Sequence, residues 1–150
     1  MAQHTFADGD YPTATILNTY ASHEGGAWTS WTPAVTQSGS VASTNTRSRY
    51  ARASRLITAT FDVTTTAAGT AGNAVTLSLP VTAAAAGSGG GVGFVLDTGT
   101  AYYSGFWNIE TTTTIVLIGY NVSGRVGAVP SFALANTDVI RGMITYEAAS

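Results

Sequence analysis

From Trp28 onward, apolar residues recur at every second position in short runs, and turn-forming residues part the runs. Breaks at roughly every 8 to 12 residues are the spacing of an all-β sandwich or barrel. The clearest run is NAVTLSLP, where Val75, Leu77 and Leu79 alternate with Thr76 and Ser78 before Pro80 ends it. In TDVIRGMITYEA, Val139, Arg141, Met143 and Thr145 fall on one face, and Ile140, Gly142, Ile144 and Tyr146 on the other. VGFVLD and TAYYSGFWNIE, joined at Thr98-Gly99, read as a hairpin. TTIVLIGYNV is apolar on both faces, so it is either central or pressed against a neighbouring subunit. WTSWTPAVT is a further strand, with Pro33 marking an edge or bulge. RYARASRLITATFDVTT reads as one long strand with a bulge, closed by the small residues at 67–72. AAAAGSGGG, residues 83–91, reads as a loop with at most one turn. The expectation is an antiparallel two-sheet β-sandwich, jelly-roll-like, of about eight strands over residues 27–150.

Residues 1–26 have a different texture. Ile16, Leu17 and Tyr20 recur at helical spacing after Pro12-Thr13, and Gly25-Gly26 follows as a stop. This predicts an N-terminal arm carrying one short helix. Its apolar stripe is too narrow for a core, so the arm must dock on its own domain or on another chain. MAQHTFADGDYP has neither a basic nor an apolar leader region, and no apolar run approaches the length of a membrane span. The expected product is soluble, made in the cytoplasm and without a membrane partner. Its hydroxyl-rich texture suits display outside a cell.

Charge narrows the function classes. Only 9% of the 150 residues are charged, the net charge is −2, and four of the six basic side chains sit in RSRYARASR at 47–55. Strand periodicity puts Arg47, Arg49 and Arg55 on one face and Arg52 on the other, so no basic stripe with interleaved aromatics forms. Single-stranded nucleic-acid grooves require that stripe, and no nucleic-acid partner is expected. The same arginines, in a chain without Lys, suit hydrogen-bonding and inter-subunit contacts. The glycine run fails G-x-G-x-x-G in every frame and no P-loop Lys exists, which removes both phosphate cradles.

Catalytic constellations are equally sparse. There is no Cys, no G-x-S-x-G and no H-E-x-x-H, and His4 and His23 both lie in the arm. No metal, cofactor or enzymatic activity is therefore expected. A remote alternative is a glycan-cleaving pair at Asp97 and Glu110. Asp97 and Asp138 occupy positions that Asp takes for turn chemistry. Aromatic residues carry the remaining chemistry. Alternation places Tyr103 and Trp107 on one face of AYYSGFWNIE, and Tyr102 and Phe106 on the other. One set belongs to the core. The other can stack on sugar rings, with Thr, Ser and Asn satisfying the hydroxyls, and Tyr102, Tyr103 and Trp107 are the candidate glycan-binding residues.

Taken in order, GAWTSWTP, RYARASRLITATF, LSLPVTAAAAGSG, TGTAYYSGFW and TTTTIVLI resemble the C-terminal β-sandwich module of tailed-bacteriophage virion proteins. The likeness covers about residues 27–147. The arm is similar too, because an LNTY helix often precedes this module in minor tail and structural proteins of phages infecting actinobacteria. That family has glycine where this chain has Ser48 and Ser54. The resemblance implies a homotrimer on the virion surface and no catalytic residues. In tail proteins it implies adhesion to host-surface glycan. The expected protein is a capsid decoration or short head fibre, anchored to capsid or tail proteins through Ile16, Leu17 and Tyr20. A receptor-binding tail tip is the alternative. Its subunit interface is expected at Arg47 and Arg49 and on the doubly apolar strand at Ile115 and Leu117. In a trimer, the second aromatic set is more readily explained by burial in the seam than by a glycan.

Overall fold

A computed structural model describes residues 27–120, 122 and 124–150. The expected arm helix, with Ile16, Leu17 and Tyr20, lies outside the described residues. The described residues form eleven strands: β1 (Thr29–Ser30), β2 (Val35–Gln37), β3 (Gly39–Val41), β4 (Ser43–Asn45), β5 (Arg49–Ala53), β6 (Leu56–Thr65), β7 (Thr76–Ser78), β8 (Gly89–Asp97), β9 (Ala101–Thr111), β10 (Thr114–Gly119) and β11 (Val139–Glu147). Every strand pair is antiparallel, and among the described residues there is no helix.

The strands follow the order β1-β5-β6-β11-β8-β9-β10-β7-β2-β3, and β4 also pairs with β6. Only Ala42 separates β3 from β4, yet β3 pairs with β2 at one end while β4 lies on Val63–Thr65 of β6. A chain that spans both places makes the sheet curl. The result is an antiparallel half-barrel whose concave face holds the core.

Alternation decides which side chains enter that core. Ile57, Ala59, Phe61 and Val63 of β6, Ile140, Ile144 and Tyr146 of β11, and Trp107 and Ile109 of β9 are all buried in one cluster. Leu77, Val35 and Val41 extend it along β7, β2 and β3. The expected inner and outer residues of β11 stand where period two puts them. β10 proves central, between β9 and β7, with Ile115, Val116 and Leu117 all fully buried within the chain.

Three expectations are corrected. The long run at 49–65 is broken by a tight turn at Ser54-Arg55 that pairs Ala53 with Leu56. Ser54 takes a positive φ of 55° there, at a position where the resembled family carries glycine. WTSWTPAVT is split into β1 and β2 around Trp31–Ala34. Residues 83–91 are loop only as far as Ser88, because Gly89, Gly90 and Gly91 belong to β8.

The glycines of β8 are strand residues for a steric reason. Gly93 of β8 lies opposite Gly142 of β11, which lies opposite Phe61 of β6. A Cβ on Gly142 would stand 2.6 Å from Trp107 Nε1 and 2.8 Å from the Phe61 ring. Trp107 thus reaches from β9 across two bare strands to meet Phe61 edge-on, with ring centroids 5.1 Å apart. No larger residue at 93 or 142 leaves room for that indole.

Two buried polar residues fasten the connections. The Gln37 side chain donates from Nε2 to Phe132 O (2.8 Å) and Asn73 O (3.1 Å), and its Oε1 accepts from Leu134 N (2.8 Å). The Asp138 carboxylate accepts from Thr98 N and Ala135 N, both at 2.8 Å. That is the turn chemistry expected of Asp138.

Candidate interaction surface

The register of β6, β11, β8, β9 and β10 brings the outward residues into rows. One row runs Thr60, Met143, Val92, Phe106, Ile118. The next runs Asp62, Arg141, Phe94, Ser104, and a third Thr64, Val139, Leu96, Tyr102. Their centre is apolar and open to solvent: Val92 is 51% exposed, Met143 46%, Phe106 42% and Tyr102 59%. Tyr102 stacks on Phe94, centroids 4.4 Å apart, and the Phe106 ring covers the bare backbone of Gly90. Scattered exposed apolar side chains are ordinary, but a contiguous group on a regular sheet face marks a contact surface.

This face is electrically quiet. Its charges are paired: Arg141 with Asp62 at 2.8 Å, the guanidinium 5.8 Å from the Phe94 centroid, and toward its end Glu147 with Arg55 and Glu110 with Arg125. Thr58, Thr60, Thr64 and Thr145 line the β6 and β11 side with hydroxyls. An apolar centre with a polar margin is the anatomy of a protein interface.

The predicted site residues scatter. Trp107 is fully buried and offers no ring face to a sugar, which removes it from any glycan site. Tyr103 points inward, stacked on Phe132 with centroids 4.7 Å apart. Burial and then Asp97 raise its phenol above the usual tyrosine range. Only Tyr102 of the three presents a ring to solvent. Ile115 and Leu117 are likewise wholly inside this chain's own core, so no surface remains for a neighbouring subunit. The hydrophobicity that suggested a seam belongs to a central strand.

The arginines are mostly occupied within the chain. Arg49 lies 4.8 Å above the Trp28 ring, Arg52 Nε donates to Ser54 O (2.7 Å), and Arg55 pairs with Glu147 at 3.0 Å. Arg47 is exposed. Asp97 and Glu110 are not a pair: Asp97 lies opposite Ala101 at one end of β9, Glu110 near the other end. At about 3.3 Å per residue they stand roughly 30 Å apart, against about 5 to 10 Å for a glycosidase. Glu110 is instead ion-paired with Arg125. Among the described residues, no three His, Cys, Asp or Glu side chains gather as a metal-binding group.

Sequence reasoning grouped Phe106 with Tyr102 on one face of β9 but did not decide which face is outward, and did not connect Phe106 with Val92, Phe94 and Met143. Each strand carries only one or two of these residues. The register that unites them depends on pairings between distant segments. Comparison with protein-family models, with curated proteins and with solved structures finds no match for the chain.

Proposed function

We propose that this chain is a non-enzymatic structural protein of a tailed-bacteriophage virion. It is a trimeric β domain displayed on the particle as a capsid decoration or short head fibre, and held there by its N-terminal arm. We also read the curled sheet as a flattened one, whose two walls face each other as in a jelly roll. The observation that carries the reading is the outer sheet face at Val92, Phe94, Tyr102, Phe106 and Met143, an open contact surface on a sparsely charged scaffold. The ordered resemblance to phage virion modules supplies the setting. Dispersed carboxylates, each engaged in a turn or an ion pair where named above, support a role in contact and not in turnover.

Mass spectrometry of purified particles, with antibody labelling in the electron microscope, tests the location. The chain is expected in the particle, and lost from it when residues 1–26 are deleted from an otherwise folded protein. Its absence from intact particles would overturn the reading. Tyr102 favours one second reading, host adhesion, because its ring is exposed and already stacked on Phe94. Glycan-array binding that disappears in Tyr102→Ala would establish it, and an unchanged array would end it.

A further inference from the structure

We infer that the outer face of β6–β11–β8–β9–β10 is where one copy of this chain packs against the same face of another. Like packed on like closes about a twofold axis, so this pairing is a contact beyond the trimer proposed above, and it rests on the reading of the chain as a self-associating virion protein.

Area is the first argument. Counting β5, the face holds 20 outward positions in four rows, two rows six strands wide and two rows four strands wide, and at about 4.8 Å by 6.8 Å each they cover roughly 650 Å2. A specific pairing takes about 600 to 1,000 Å2 from each partner. The face is therefore large enough, with little to spare, and its apolar centre must be included in the contact.

Charge is the second. In those rows Arg141 and Asp62 cancel, and the charge left over is Arg49 at the β5 edge, which lies against the Trp28 ring. One cation at a margin is too little to draw a nucleic acid or an anionic membrane, whereas a second copy meets a nearly neutral surface with its own. The pair also sits beside Phe94, so Arg141 of one copy can take Asp62 of the next without leaving a charge unpaired.

The shape of the face is the third. The bare Gly90 leaves room for the tip of the Phe106 ring, and Phe94 stacks against Tyr102. With its rings packed against their neighbours and threonines at the margin, the face is one that a like surface can approach. The indole of Trp28, held beside Arg49, extends the face at the β5 edge.

Sedimentation velocity of the full chain from 1 to 100 µM tests this, comparing the wild type with Val92→Asp, Phe106→Asp and the control Ser40→Asp on β3, with circular dichroism confirming the fold. The wild type and Ser40→Asp are expected to sediment as the same closed oligomer. Each face variant is expected to associate at least tenfold more weakly. Face variants as oligomeric as the wild type would overturn the seam while leaving the virion reading intact. A wild-type monomer at 100 µM, or aggregates of no fixed stoichiometry, would also overturn it, and the particle experiment would still judge location separately. If an Asp variant misfolds, Val92→Cys serves instead, because the chain has no other cysteine. A short bismaleimide is expected to join copies through that thiol, and failure to do so in the associated protein overturns the proposal.

Discussion

Trp107 is the residue on which most of the interior depends. It is fully buried, crosses Gly93 and Gly142, and ends against Phe61. Trp107→Ala is expected to cost about 3 to 5 kcal/mol in chemical denaturation, as for other large aromatic truncations. Gly142→Ala attacks the same contact from the other side. Its methyl would press on the indole and on Phe61, and a loss of about 1 to 3 kcal/mol is expected. Thr137 offers the opposite case: a β-branched residue at φ 76°, exposed, with its carbonyl accepting from Thr98 Oγ1. Thr137→Gly keeps that carbonyl and removes the side-chain clash, so a gain of about 1 kcal/mol is expected in thermal melting. Residue identity predicted Asp138 well because Asp at a strand start has few other uses. It misread Gly89 to Gly91, because glycine as a loop former and glycine as a space for a neighbour look alike until the neighbour is known.

At the scale of elements, β11 shows how chemistry and pairing combine. Tyr146 faces inward, its hydroxyl donating to Val81 O at 2.8 Å and accepting from Val81 N at 3.3 Å. Burial pushes its pKa up to about 12. Below pH of about 10 the phenol is protonated in both folded and unfolded chains, and its contribution is constant. Between about 10 and 12 only the unfolded chain gives up the proton, so stability falls as pH rises through this window. Melting temperatures measured from pH 9 to 12 are expected to drop less steeply in Tyr146→Phe, although that variant starts about 1 kcal/mol lower for its lost hydrogen bonds. Tyr103, raised in the same direction, leaves a residual slope. Strand existence and alternation were legible for β7, β9 and β11, where one-sided burial imposes period two, but which face of β9 turns inward was not. Strand ends were not: nothing local in ARASRL marks Ser54 as a turn, since its positive φ is imposed by the pairing of Ala53 with Leu56.

For the whole molecule, the curl is held by contacts between remote segments. Gln37 joins β2 to residues 73, 132 and 134, and no local sequence signal announces that junction. Gln37→Leu keeps the volume but strands three backbone groups, and a loss of about 2 to 4 kcal/mol is expected from the usual cost of an unsatisfied buried group. The composition made a strand-rich, weakly charged domain readable. It could not reveal the outer face, which exists only once β8, β9 and β11 are side by side. The two levels give different forecasts for salt. Association through the arginines of 47–55 would weaken as ionic strength rises, whereas association through the apolar face would hold or strengthen, most of all in sulfate. Repeating the sedimentation series at 0.1 and 1 M salt separates them.

The bare track under Trp107 also bears on descent. Positions 93, 107 and 142 share one volume although they lie on three strands, so none is free to change alone. A lineage that gains a methyl group at 142 must first shrink the ring at 107, and one that loses the ring leaves a void that a larger residue at 142 can fill, whereas a Cβ at 93 would also run into the Arg141 carbonyl oxygen, which keeps that position glycine. Distant kin of this chain should therefore show 107 and 142 varying in concert over an unchanging glycine at 93. That linked pattern is a more durable signature than any single stretch of the sequence.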